Sequence, residues 1–306
     1  MADFQLSTPV AFMIFNRPDT SERVFAEIAK AKPSKLLVVG DGARTGRPGE
    51  AEKVAATRAI IERVDWGCKV LTNFSDTNLG CRRRMSSGID WVFDQVEQAI
   101  ILEDDCLPDP TFFRFCDELL DLYGPDQRIG QITGVNFQFG HRINDDSYYF
   151  SKYGHIWGWA TWRDRWKNHY DVDMKAWPEL RDGGGLADLI GCPAEEKYWT
   201  GVFERTFQGA IDTWDYQWVF ACMLHGRLAV LPNSNLISNI GFGPAATHTS
   251  GSGDLSNLGT HPMQFPLRHP RGIFQCRTLD SRYFKRFLGV PLYRRINKRI
   301  RDLVAQ

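Results

Sequence analysis

Ile100-Ile101-Leu102-Glu103-Asp104-Asp105-Cys106 joins an apolar run to three consecutive carboxylates. The apolar part is short enough for a buried strand, so the acidic groups emerge where that strand leaves a sheet. Three like charges side by side repel and raise one another's pKa unless something cationic sits among them. A hard divalent ion bound through oxygen is the usual remedy. Asp105 lies farthest from the strand and is the candidate for direct metal contact, with Glu103 and Asp104 lining the ligand side.

The segments before it repeat a simple rhythm. Val10 to Phe15 is a short apolar run broken by Asn16-Arg17-Pro18-Asp19, and a helical pattern through Val24, Phe25 and Ile28 follows, ending before Pro33. Lys35 to Val39 reads as a second strand stopped at Gly40-Asp41-Gly42, Ala51 to Val64 as a helix, Cys68 to Thr72 as a third strand and Gly80 to Gln98 as a helix. This alternation predicts an α/β fold with a mixed, mostly parallel sheet flanked by helices. Asp109-Pro110 then caps a helix over Thr111 to Tyr123.

Beyond about residue 125 the rhythm changes. Tryptophans 157, 159, 162 and 166 crowd one segment, and residues 241 to 272 are rich in Gly, Pro, Ser and His with little periodicity, which predicts a long loop that closes over a ligand. The expected organisation is a ligand-binding half at 1–125, an acceptor-side half at 126–272 and a basic tail at 273–306. In that tail Phe284, Phe287, Leu288, Leu292, Ile296, Ile300 and Leu303 recur at helical spacing among the eight cations of residues 281–304. An amphipathic basic helix fits an anionic membrane surface, and it equally fits packing against the body of the protein.

Lys+Arg 37 equals Asp+Glu 37 in these 306 residues, so no net field attracts nucleic acid. Seven scattered cysteines without a C-x-x-C pair argue against a disulfide framework or zinc knuckle and for a reduced compartment. The first residues carry no signal-peptide pattern and no apolar run reaches spanning length. The expectation is a soluble cytoplasmic protein, at most peripheral on the inner face of a membrane.

Open α/β sheets bind ligands beyond the carboxyl ends of their strands, where Asn16-Arg17, Asp41 and the triplet all fall. Asp41 admits a second reading as a turn residue between glycines. Arg82-Arg83-Arg84 open a helix at its positive end, an unfavourable place unless an anion compensates, so they read either as a solvated helix face or as a site where one of them, with Arg84 the candidate, faces a phosphate or a carboxylate. Asp215 in Trp214-Asp215-Tyr216-Gln217-Trp218 reads either as a helix cap or as a general base held among aromatics. His248 lies in the Gly-rich segment and is a candidate metal or phosphate partner. Around Trp157 and Trp159, the glycines at 154 and 158 would let a sugar approach, although plain packing accounts for the rings equally well.

In order along the chain, Asn16-Arg17, Asp41, Glu103-Asp104-Asp105 with Pro110-Thr111-Phe112-Phe113, Gly158-Trp159 and Trp214 to Trp218 with Leu231-Pro232 resemble the nucleotide-diphospho-sugar transferases of GT-A fold. The nearest likeness is to the inverting N-acetylglucosaminyltransferases of N-glycan and O-mannosyl glycan cores and their bacterial relatives. The resemblance implies that Arg17 and Asp41 contact a nucleoside, Glu103 and Asp104 the nucleotide and sugar, and Asp105 a manganese or magnesium ion, with Asp215 as the base. It implies a nucleotide-sugar donor, a UDP-sugar for preference, and a glycan or lipid-linked acceptor. Two other classes share some features: a nucleotidyltransferase, disfavoured by the lack of a Gly-rich phosphate loop followed by Lys near the first strand, and a non-catalytic carbohydrate-binding protein.

Overall fold

The computed structural model describes residues 4–242, 255 and 257–289. His248 and the stretch 290–306 of the basic tail therefore lie outside the described residues.

Four strands open the chain: β1 (Val10–Ile14), β2 (Lys35–Gly40), β3 (Lys69–Phe74) and β4 (Gln98–Glu103). They are linked by helices α1 (Pro18–Ala31), α2 (Glu50–Ala59, extended by a 3-10 turn Ile60–Arg63) and α3 (Gly80–Gln95). All pair in parallel, with β1 between β2 and β4. Every residue of β1 is buried and β2 is nearly so, the pattern of strands covered on both faces.

A short strand β5 (Cys106–Pro108) and helix α4 (Thr111–Tyr123) follow the triplet, and then the same sheet continues with β6 (Ile129–Thr133), β7 (Tyr148–Ser151), β8 (Trp159–Trp162) and, after helices, β9 (Leu228–Pro232). The strand order is β3-β2-β1-β4-β8-β6-β9-β7, one eight-stranded sheet that runs through both halves of the chain. β8 is antiparallel to β4 and β6, and β6 and β9 are parallel. This is a Rossmann-like α/β fold with a mixed second half. Helices α5 (Arg163–His169), α6 (Trp177–Asp182), α7 (Gly185–Ile190), α8 (Pro193–Phe207) and α9 (Asp215–Leu224) cover that half, β10 (Ile237–Asn239) pairs with β5, and α10 (Arg277–Tyr283), continued by one more helical turn, Phe284–Leu288, is the last element of the described residues.

Two findings concern the described part of the C-terminal third. Residues 257–272 do not lie as a free loop: Asn257 and His261 donate backbone bonds to Asn239 and Asn235, Arg268 accepts one from Ser147, and Met263 and Leu267 are buried in the main core. Apolar side chains at intervals are enough to strap an irregular segment to the body. The described start of the basic tail packs likewise, with Phe284 buried and Phe287 against Phe137 and Tyr283. Among the described residues no helix is long and apolar enough to cross a membrane.

Candidate active site

Topology decides which residues meet. β1, β2 and β4 run the same way, so Asn16-Arg17, Asp41 and Glu103-Asp104-Asp105 reach one edge of the sheet. β8 runs against β4, with Trp159 opposite Ile101, so the residues that enter β8, Trp157 and Gly158, arrive at the edge where β4 leaves. β9 is parallel to β6 and hence to β4; the helix that precedes it must start at the carboxyl edge and return. Asp215, the first residue of α9, is therefore delivered to the same place.

A cavity of about 590 Å³ occupies that edge, lined by Asn16, Arg17, Asp41, Asn78, Cys81, Arg84, Glu103, Asp104, Asp105, Trp157, Asp215 and Tyr216 among others. A smaller hollow beside it, about 360 Å³, shares Asn16, Arg17 and Arg44 and adds Arg47 and Lys53. Arg44 is tied to Glu50, whose carboxyl is held well down, at about 2, chiefly by that guanidinium.

The three carboxyls differ sharply in surroundings. Asp105 Oδ2 accepts Arg17 Nη1 at 2.6 Å. Asp104 accepts the Phe15 backbone N–H at 3.1 Å and lies 3.8 Å from Arg17 Nη1. Burial and then the charge of Asp105 push the Asp104 carboxyl up to about 7, against the pull of Arg17 and the Phe15 N–H. Glu103 Oε1 is buried and has no hydrogen-bond partner among the described residues. Its pKa is raised well above the ordinary range, first by burial, then by Asp105, Asp104 and Asp215. The influence of Asp215 on Glu103 means that the residue from α9 and those from β4 share one electrostatic site.

Among the described residues no group of three or more His, Cys, Asp or Glu is arranged to hold a metal ion by itself. The donor set does fit a different arrangement. One outward carboxylate, Asp105, beside a buried unpartnered carboxyl oxygen on Glu103, suits magnesium or manganese, which characteristically take one or two protein carboxylates and complete their shell from phosphate oxygens and water.

Other sequence candidates sit differently from expectation. Asp41 lines the cavity but spends both oxygens on the chain: Oδ1 accepts Gly42 N–H and Leu79 N–H, and Oδ2 accepts Asn78 Nδ2 and Gly80 N–H. It fastens the start of α3, whose free N–H groups need acceptors. Arg84 reaches the cavity wall while its Nη2 bonds to the backbone and side-chain oxygens of Asn73, 2.7 Å to the latter, and its Nε is buried without a partner among the described residues. Trp159 is not a ligand-facing residue: it is fully buried, stacked on Trp214 at 5.6 Å and packed on Trp166 and Trp218. β8 is buried along its whole length, so Trp159 lies in the core, whereas Trp157, ahead of the strand, lines the cavity. Nor do the glycines there make room for a ligand. A Cβ on Gly158 would collide with Ile237, and one on Gly154 would come within 2.7 Å of Gln131. Trp157, one of the two rings read in the sequence as a possible sugar contact, does line the cavity, whereas Arg44, Asn78, Cys81 and Asp212 enter the site without having been singled out as ligand contacts, since isolated residues of ordinary type carry no pattern.

Comparison with known proteins gives little: no family model matches the chain, and no curated protein matches its sequence. Among matching solved structures is UDP-glucose pyrophosphorylase complexed with UDP-glucose, with TM-score 0.26 and 11% identity, covering 49% of this chain and 64% of that one. The chain thus spans less than two thirds of that structure, and a likeness of this size assigns no activity.

Proposed function

We propose that this chain is an inverting glycosyltransferase of GT-A type that moves a sugar from a nucleotide-diphosphate donor, a UDP-sugar for preference, to a hydroxyl of a glycan or lipid-linked acceptor. One observation carries the reading: carboxylates from β4 and α9 share a cavity at the carboxyl edge of an α/β sheet, with Arg17 among them.

Arg17 and Asn16 meet the nucleoside diphosphate, and Asp41 holds the loop of Asn78 and the start of α3 around it. Asp105 is the protein ligand for manganese or magnesium. Such an ion, when bound, neutralises charge on the leaving diphosphate. Glu103 and Asp104 hydrogen-bond to the sugar hydroxyls. Asp215 takes the proton from the acceptor oxygen as that oxygen attacks the anomeric carbon from the face opposite the diphosphate. Thr213 Oγ1 donates to Asp215 Oδ1 and fixes its orientation. Trp157 and Tyr216 supply apolar faces suited to a pyranose.

The test is a panel of nucleotide sugars and glycan acceptors with product analysis by NMR. The reading requires a new glycosidic bond with anomeric configuration inverted from the donor. Retained configuration, or pyrophosphate-dependent cleavage of the donor with no transfer, would overturn it.

A further inference from the structure

Arg17 occupies the position a metal ion would compete for. Its Nη1 approaches Oδ2 of Asp105, a residue that lines the cavity, at 2.6 Å, and reaches Asp104 as well. Both side chains are mostly shielded, at 19% and 17% exposure, so the contact is not a loose surface pair. Three distant segments are shaped around it. Arg17 is the residue that precedes α1, Asp105 follows β4, and Gly241 follows β10; a Cβ on Gly241 would overlap Asp105 Oδ2 and come within 2.8 Å of Arg17 Nη1. The backbone at 240 is tied there by the Ile240 N–H bond to the Asp105 carbonyl at 2.8 Å.

We propose that Arg17 is a positioning residue that holds Asp105 in place of a metal ion and releases it when a nucleoside diphosphate arrives. The inference rests on the reading of Asp105 given above. A guanidinium leaves a partly buried carboxylate only for another anion, because the lone charges left behind are costly. The diphosphate supplies that anion, and a guanidinium fork suits phosphate oxygens as well as it suits carboxylate. Asp105 Oδ2 then becomes available to the divalent ion that the diphosphate also binds. Metal and nucleotide are thereby coupled: each binds better when the other is present, and neither the empty protein nor Asp105 alone holds the ion well.

Manganese titration followed by the EPR signal of the free ion separates the possibilities. Without nucleotide, Arg17→Met and Arg17→Gln should each bind Mn²⁺ about tenfold more tightly than the unmodified protein, a coupling of ordinary size. Adding Asp105→Asn to either variant should remove the gain. Ultraviolet circular dichroism reports whether the variants fold. If they do not, the unmodified protein gives the answer, since UDP should raise its Mn²⁺ affinity about tenfold above that of UDP free in solution. No gain in folded Arg17 variants, a gain that survives Asp105→Asn, or equal Mn²⁺ affinity of bound and free UDP would overturn the inference. A protein that binds Mn²⁺ with UDP but gains nothing from loss of Arg17 defeats this inference alone; one that binds neither defeats the proposed function with it.

Discussion

Trp159 stacks on Trp214 with ring centroids 5.6 Å apart, and the residue after Trp214 is Asp215. The candidate base therefore rides on a cluster of buried indoles, Trp159, Trp166, Trp214 and Trp218, that ties α9 to β8. Rigid support of this kind holds a reacting group in geometry more firmly than a loop would.

Two tryptophans separated by one glycine should answer differently to truncation. Trp159→Ala removes a fully buried ring and should cost about 3–5 kcal/mol of stability in urea titration. Trp157→Ala should cost distinctly less and instead weaken binding of sugar ligands, measured by calorimetry. Equal losses of stability would show that both rings are merely core.

Asp215→Asn should leave nucleotide-sugar affinity within a few-fold of the original while turnover drops by about 10² to 10⁴, the span of general base catalysis. Separate measurement of Kd and kcat checks both halves of the expectation.

His155 provides a pH dependence whose sign is fixed. Partial burial against Phe137 and Tyr283 lowers its pKa, at the most to about 3, whereas in the unfolded chain it titrates near 6.5. Below 6.5 the unfolded chain takes up a proton that the folded protein refuses. The stabilising contribution is whole above 6.5 and is lost as pH falls toward 3. Between pH 8 and pH 5 this amounts to about 2 kcal/mol. His155→Gln should flatten that part of the stability curve in denaturant titrations at the two pH values.

Gly241→Ala adds a methyl group where Asp105 Oδ2 lies, so the carboxylate or the backbone must shift. Global stability should change by less than about 1 kcal/mol at this edge position, while metal-dependent UDP binding weakens by about tenfold or more. Unchanged UDP affinity would mean that the position of Asp105 does not matter for the ligand.

The first half of the fold was legible because β1, β2 and β4, buried along nearly all their length, are continuous apolar runs, and Pro18, Gly80 and Pro110 mark the starts of the helices that follow. The predicted helix over Thr111 to Tyr123 is α4, residue for residue. β6, β7 and β8 escaped that reading. Trp159-Ala160-Thr161-Trp162 places one tryptophan on each face of a strand packed on both sides, so its tryptophans mimic a ligand-binding cluster when only composition is visible. The acidic triplet could be placed from its strand alone. The partner of Asp105 could not, because the contact between residues 17 and 105 depends on β1 and β4 being neighbours, a long-range fact with no local signature. Asp41 shows the same limit from the other side: its hydrogen bonds to residues 78 to 80 follow from how the β2 and β3 loops meet.

The most direct test of the central claim is nucleoside diphosphate release from a panel of nucleotide sugars, with acceptors and Mn²⁺, by the unmodified protein and Asp215→Asn side by side. The account predicts release from at least one donor that needs both acceptor and divalent ion and that disappears in Asp215→Asn although the donor still binds. Release from no donor, or equal rates in the two proteins, would contradict it.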